Sequence, residues 1–300
     1  SGDGAQRLIV IPIGIVLRGV WLVARRKPLG FVAVLVLLTM ALVAIFAAQV
    51  AAHDPLTQDI PNRLRPPGGG FLFGTDSFGR DTFSRVVYGA RISLYVGTIS
   101  VAIAAVLGSV IGIISAYWGG KFDMGLQRVV DAFLAFPSLV LALVLVASLG
   151  ASVSNVIIAI TTAITPQMVR LSRSLAMVVK EEYYVLAAQS VGCLSTRTIF
   201  RHILPNCLAP LVVQASGYLE QAVVAEAALS FLGLGVPPPH SSWGRMLHEG
   251  AQGYLEVAPW LTLFPGLALS LAVLCFSLVG DAMRDLLDPH ISLRAIRKHG

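Results

Sequence analysis

The sequence predicts an all-α membrane protein that crosses the bilayer six times, with both termini on the cytoplasmic side. Three observations carry that prediction. The 300 residues are 56% hydrophobic and only 13% charged, with a mean hydropathy of +0.77; a soluble domain is about 45–50% apolar and about 25% charged. The apolar residues fall into six blocks near the roughly 20 residues that a helix needs to span, and open sheet edges cannot face lipid. The basic residues are also uneven. With six crossings, Arg63, Arg65, Arg80, Arg85, Arg91 and Arg245 lie outside, six of the 22 Lys and Arg, and the other 16 lie inside, as the positive-inside rule requires. The net charge of +6 is scattered beside apolar blocks, which fits an anionic membrane face and not a nucleic-acid surface.

Residues 1–28 read as a cytoplasmic or interfacial segment. Leu8–Leu17 is too short to span, and Arg18, Arg25, Arg26 and Lys27 follow it, so an interfacial helix is expected. Residues 29–52 form the first span, entered from the inside behind the basic cluster. Residues 53–91 are the longest polar stretch. Pro and Gly make it a loop up to Gly70. The run GTDSFGRDTFSRVVYGAR, Gly74–Arg91, then reads as a helix, with Asp81 and Arg85 spaced to pair across one turn. The permease core is residues 92–283. Its spans are Ile92–Trp118, Val129–Gly150 with a bend at Pro137, Asn155–Met177, Cys207–Gly235 and Pro259–Met283. Gly119-Gly120-Lys121 is a turn and lacks the spacing of a phosphate loop. Residues 284–300 are a basic inner tail.

The polar run 181–206, EEYYVLAAQSVGCLSTRTIFRHILPN, separates the fourth and fifth spans. Tyr184–Val191 holds good helix formers, and Gly192 suits a left-handed helix end. Ser195 or Thr196 is placed to cap a second helix, and Pro205 to end it. Two short helices set at an angle by a glycine are therefore expected on the inner membrane surface.

Here the sequence resembles a known family. The membrane subunits of binding-protein-dependent ABC importers carry E-A-A, three residues, G, nine residues, I, one residue, L-P. Ala187, Ala188, Gly192, Leu204 and Pro205 are in register with it, while Leu186 replaces the Glu and His202 the Ile. The segment HILPN (202–206), the run GTDSFGRD (74–81), EAALSFLGLG from Glu226, and GDAMRDLLDP (280–289) resemble the C-type subunit of the dipeptide and oligopeptide branch. The resemblance implies a type I ABC importer permease fold in a bacterial inner membrane. It implies a B-type membrane subunit, two ABC ATPase subunits and an extracytoplasmic binding protein as partners, and no nucleic acid. In that family the loop is the coupling helix that docks on an ATPase subunit. Leu186, Ala187, Ala188, Gly192, His202, Leu204 and Pro205 would form it here. ATP and Mg would be held by the partners; no cofactor and no catalytic residue are expected on this chain, which is read as a transport subunit and not an enzyme.

Polar groups inside spans are costly and face a cavity or a neighbouring helix. Gln214, Gly217, Tyr218 and Gln221 share one helical face. That face is either a wall of the translocation path or a seam between helices. Thr161, Thr165, Met168 and Ser172 share a face of the fourth span and read as a packing seam. Asp76, Arg80, Asp81 and Arg85, with Glu226 in the fifth span, are the candidates for the outer gate or for contact with a receptor protein; a surface helix that closes the outer mouth is the competing reading. His202 and Cys207 have no acid to orient them, and His240, His248 and Glu249 match no metal spacing. A secondary transporter would show internal repeats, and none is visible. Within the resembling family, nickel or haem-like cargo is the alternative to peptides.

Overall fold

The computed structural model describes residues 27–287. The interfacial helix expected at Leu8–Leu17, and the tail beyond Leu287 with its Arg294, Arg297 and Lys298, lie outside those residues. Among the described residues the regular structure is helical, with two isolated β-bridges and no strand. The helices are α1 (Pro28–Ile45), α2 (Ala47–Val50), α3 (Thr82–Trp118), α4 (Gly120–Leu134), α5 (Ser138–Leu149), α6 (Val153–Lys180), α7 (Tyr183–Ser190), α8 (Ser195–Thr198), α9 (Leu204–Phe231), α10 (Trp243–Ala251) and α11 (Trp260–Leu287). Among the described residues, α1, α3 and α11 are each long and apolar enough to cross a membrane, and the pair α4–α5 counted as one span makes four.

Several boundaries differ from the sequence expectation. The GTDSFGRD run opens no separate surface helix. Asp81 caps α3 by accepting from the Ser84 amide at 2.9 Å, and the helix then runs unbroken for 37 residues to Trp118, a length of about 55 Å at 1.5 Å per residue. With Asp81 used as the cap, Arg85 pairs with Asp76 and Glu249, so the expected Asp81–Arg85 pair does not form. Pro137 does more than bend the third span. It stands as the N-cap of α5, and α4 and α5 meet at 86°. Neither Ser195 nor Thr196 caps the second helix of the 181–206 loop; Leu194 takes the N-cap position without a side-chain bond. Pro205 does not end that helix either. A π-turn over Ile199–Ile203 precedes it, and the wider turn absorbs the bond that proline cannot donate. The chain thus continues from Ser195 through α9 to Phe231.

The core is built on α3 and α6. Gly108 and Gly112 let the two backbones approach; a Cβ on Gly112 would stand 2.0 Å from Ser172 Oγ and 2.4 Å from the Val169 carbonyl. The Ser172 hydroxyl donates to the Gly108 carbonyl (2.8 Å), and the Thr161 hydroxyl to that of Ser100 (3.2 Å). Small residues with hydroxyls bonded across helices are how membrane helices associate without a hydrophobic drive. The face of Thr161, Met168 and Ser172 is therefore a packing seam, with Met168 fully buried. Lys180 donates to the Ala116 and Tyr117 carbonyls, which sets the end of α6 beside the end of α3. α9 packs between α3, α6 and α11, and α1 lies along α11 and α3. Lys27 pairs with Asp285, so the start of α1 meets the end of α11.

Candidate docking loop and buried charge cluster

The loop between α6 and α9 is organised by one apolar anchor and one glycine. Val185 is fully buried and packs with Ile199, Ile203 and Cys207. Gly192 takes φ +79°, and the Cys193 amide donates to Ala188 O at 3.0 Å while the Gly192 amide donates to Gln189 O at 2.9 Å. That paired closure is the Schellman end of a helix, which a left-handed residue makes possible. Around this frame the loop is open. Leu186, Ala187, Gly192 and Pro205 are exposed; Ala188, His202 and Leu204 are half-buried. The most exposed apolar groups are ones the motif does not single out: Tyr183 at 89%, Val191 at 84% and Leu194 at 74%, with Phe200 beside them. Their signal in the sequence is their placement in a polar stretch. Burial first, and then the negative charge of Glu182, push the Tyr184 phenol above its ordinary pKa. The loop thus presents exposed apolar side chains around the buried Val185 and the left-handed Gly192.

At the opposite end, the segment after α2 folds back over the starts of α3, α10 and α11. Asp76 accepts from Arg80 Nε at 2.6 Å, from Arg85 Nη1 at 2.5 Å and from the Phe78 and Arg80 amides. Glu249 of α10 accepts from Arg85 Nη2 at 2.8 Å, from Arg80 Nη2 at 3.3 Å and from Arg245 Nε at 3.2 Å. Arg85 also donates to Ser241 Oγ at 3.1 Å. Two carboxylates thus bind three guanidiniums in a nearly closed cluster, with Asp76, Arg80 and Arg85 all buried. Arg245 and Glu249 complete it, and their i, i+4 spacing was the available sequence signal. Asp81 stands beside the cluster as the helix cap, and its second oxygen has no partner among the described residues. The Trp243 indole donates to the Val86 carbonyl at 3.0 Å, locking α10 onto α3.

Glu226 is not part of this cluster. It is fully buried in α9 and accepts from Ser93 Oγ at 2.8 Å and Ser230 Oγ at 2.7 Å. The stripe in α9 divides. Tyr218 enters the core, Gly217 stands against Gly280 of α11, and Gln214 is half-buried. Gln221 is exposed and lines a cavity of about 310 Å³ with Glu220, between α5, α6 and α9. No group of three His, Cys, Asp or Glu side chains among the described residues is placed to hold a metal.

Comparison with known proteins gives this architecture a relationship. A putative peptide transport system permease protein of Brucella abortus biovar 1 is 45% identical over 262 residues, 87% of this chain and 88% of the relative. The dipeptide transport system permease protein DppC of Alkalihalophilus pseudofirmus is 43% identical over 265 residues, 88% of this chain and 87% of its own. The glutathione transport system permease protein of Escherichia coli O6:K15:H31 is 39% identical over 272 residues, 90% and 89% of the two chains. Residues 16–67 match the N-terminal transmembrane domain of oligopeptide transport permease C. Residues 108–293, which contain α4 to α11 and the exposed loop, match the inner membrane component of binding-protein-dependent transport systems, and the chain belongs to that family of multi-pass membrane permeases.

Proposed function

We propose that this chain is the C-type permease subunit of an ATP-driven importer of dipeptides or oligopeptides in a bacterial inner membrane. The observation that carries the reading is the loop between α6 and α9: apolar side chains held open on a rigid, glycine-set frame. An exposed apolar patch of this kind marks a partner surface. The occupant is an ATPase subunit, with a second copy on a B-type membrane partner and a binding protein outside. The relatives named for peptides, dipeptides and glutathione support the cargo class.

In this reading the bundle crosses six times: α1, α3, the bent pair α4–α5, α6, α9 and α11. Lys27 beside Asp285, and Lys180 beside Ala116 and Tyr117, support a shared inner side for those helix ends. The charge cluster then braces the outer face. ATP-driven closure of the ATPases would move the loop, and the bundle would tilt as a rigid body between inward- and outward-open states. ATP and Mg stay on the partner subunits. The test is purification of the assembled complex with its receptor and identification of the receptor's ligand, followed by uptake into proteoliposomes. Peptide uptake that requires both ATP and the ATPase subunits is the expected result. Uptake without them indicates a secondary transporter, and a nickel- or haem-loaded receptor overturns the peptide cargo.

A further inference from the structure

An apolar groove of about 720 Å³ lies between α3, α4 and α6. Leu107 and Ile111 of α3, Leu126 and Phe133 of α4, and Val169 of α6 form its walls. Three threonines of α6 also line it, and their hydroxyls are already spent. Thr161 donates to the Ser100 carbonyl at 3.2 Å, Thr162 to that of Ile158 at 2.8 Å and Thr165 to that of Thr161 at 2.7 Å. The polar face of α4 turns elsewhere: Asp123, Gln127 and Asp131 line a separate space. The groove therefore suits an apolar occupant along its walls.

Gly125 lines the groove in the interior of α4, where glycine is a poor helix former. Gly108 and Gly112 admit the backbone of α6, but a Cβ on Gly125 would meet no atom of the described residues within 4 Å. The close approach that this glycine permits is to something outside the chain. One end of the groove differs in kind. Lys121 lines it there and is exposed. The nearby carboxylates Asp123 and Asp131 are taken by Arg173 and Arg170, so the Lys121 ammonium has no partner among the described residues. α4 also begins there without a side-chain cap, which leaves its first amides open to an anion. Beside Lys121, Trp118 and Phe122 pack edge to face at 5.5 Å, and both are exposed. An exposed Trp next to a free Lys, at the end of a long apolar helix, is the pattern of a membrane–water interface.

We propose that this groove holds an acyl chain of an anionic phospholipid, with the lipid phosphate on Lys121 and the first amides of α4. The match is one of charge and of length. From Lys121 to Phe133 the α4 wall is about 18 Å long. That is the scale of one acyl chain, which fills half of a hydrocarbon core about 30 Å thick. An apolar helix of a partner subunit would cover the walls and leave the ammonium unpaired; an anionic lipid satisfies both. The lipid fills the space over Gly125 and ties α4 to α3 and α6. The inference requires only that the chain is a membrane permease, and it holds whatever cargo the permease moves.

The test uses the assembled complex in mild detergent, with phosphatidylglycerol or phosphatidylcholine of identical chains added. Native mass spectrometry counts the lipids retained. Wild type should hold one phosphatidylglycerol more per copy of this chain than Gly125→Phe, whose ring fills the groove. At that site wild type should prefer phosphatidylglycerol to phosphatidylcholine about tenfold, the scale of one charge-assisted hydrogen bond. Lys121→Gln should lose the preference, and Lys121→Arg should keep it. Equal retention of the two lipids by wild type overturns the inference, and so does a preference that survives in Lys121→Gln. A lipid count unchanged in Gly125→Phe overturns it as well. A Gly125→Phe complex that fails to assemble assigns the groove to a partner helix, which also overturns it.

Discussion

The two ends of this molecule handle exposed chemistry in opposite ways. At the end that carries α10 the charged groups are turned inward: Asp76, Arg80 and Arg85 are buried, and each finds a partner within the chain. At the end that carries α7 the apolar groups are turned outward: Tyr183, Val191 and Leu194 are strongly exposed, and Val185 is the fully buried residue of α7. A region that satisfies its own groups is a structural brace. One that leaves costly groups unsatisfied is completed by something else. The contrast predicts that substitutions at the α10 end cost stability, and that those at the α7 end cost partnership.

The largest effect is expected at Glu249. Replacing it with alanine leaves Arg80 and Arg85 with one fewer carboxylate in a buried setting, a loss of about 3–5 kcal/mol for breaking one side of a buried pair. Thermal unfolding of the purified subunit in detergent measures it. A shift equivalent to under about 0.5 kcal/mol, the surface norm, would erase the contrast from the α10 side. Next is Val185→Ala, which removes two buried methyl groups from the anchor of the docking loop. About 1–3 kcal/mol of local packing is at stake, and faster amide exchange confined to residues 183–193 is the expected signature. Exchange that rises throughout the bundle would mean that the loop is integral to the core. Gly192→Val comes third. A branched residue at φ +79° is strained by about 1–2 kcal/mol, too little to unfold the bundle but enough to misdirect α7. Insertion and melting should stay near wild type while uptake falls. Normal uptake would mean that the glycine sets no functional angle.

Much of this was legible in the sequence, and the misses have physical causes. The apolar blocks marked the helices, the hydroxyls at Thr161 and Ser172 marked the seam, and Gly192 marked the left-handed turn. Pro205 misled because a local rule met a tertiary remedy: the π-turn at Ile199–Ile203 carries the helix past the proline. Asp81 misled because one carboxylate could pair with Arg85 or cap a helix, and the cap won. Glu249 stood 164 residues from Arg85, and no local pattern announces a partner at that distance. The four α9 residues share a face by periodicity, yet their neighbours differ along the helix, so Tyr218 is buried and Gln221 is open.

The most direct test joins stability and partnership in one preparation. Tyr183→Ala and Ala187→Asp alter side chains that are exposed and make no hydrogen bond or ion pair among the described residues, so the melting of the subunit should move by no more than about 0.5 kcal/mol in either. Both variants are then purified from cells that also express the ATPase subunits, and the amount of ATPase retained is measured beside wild type. The account predicts unchanged melting together with loss of the ATPase subunits, more severe for Ala187→Asp because it places a charge in the docked surface. Full retention of the ATPase with normal melting would contradict it, and the loop would then be no docking surface.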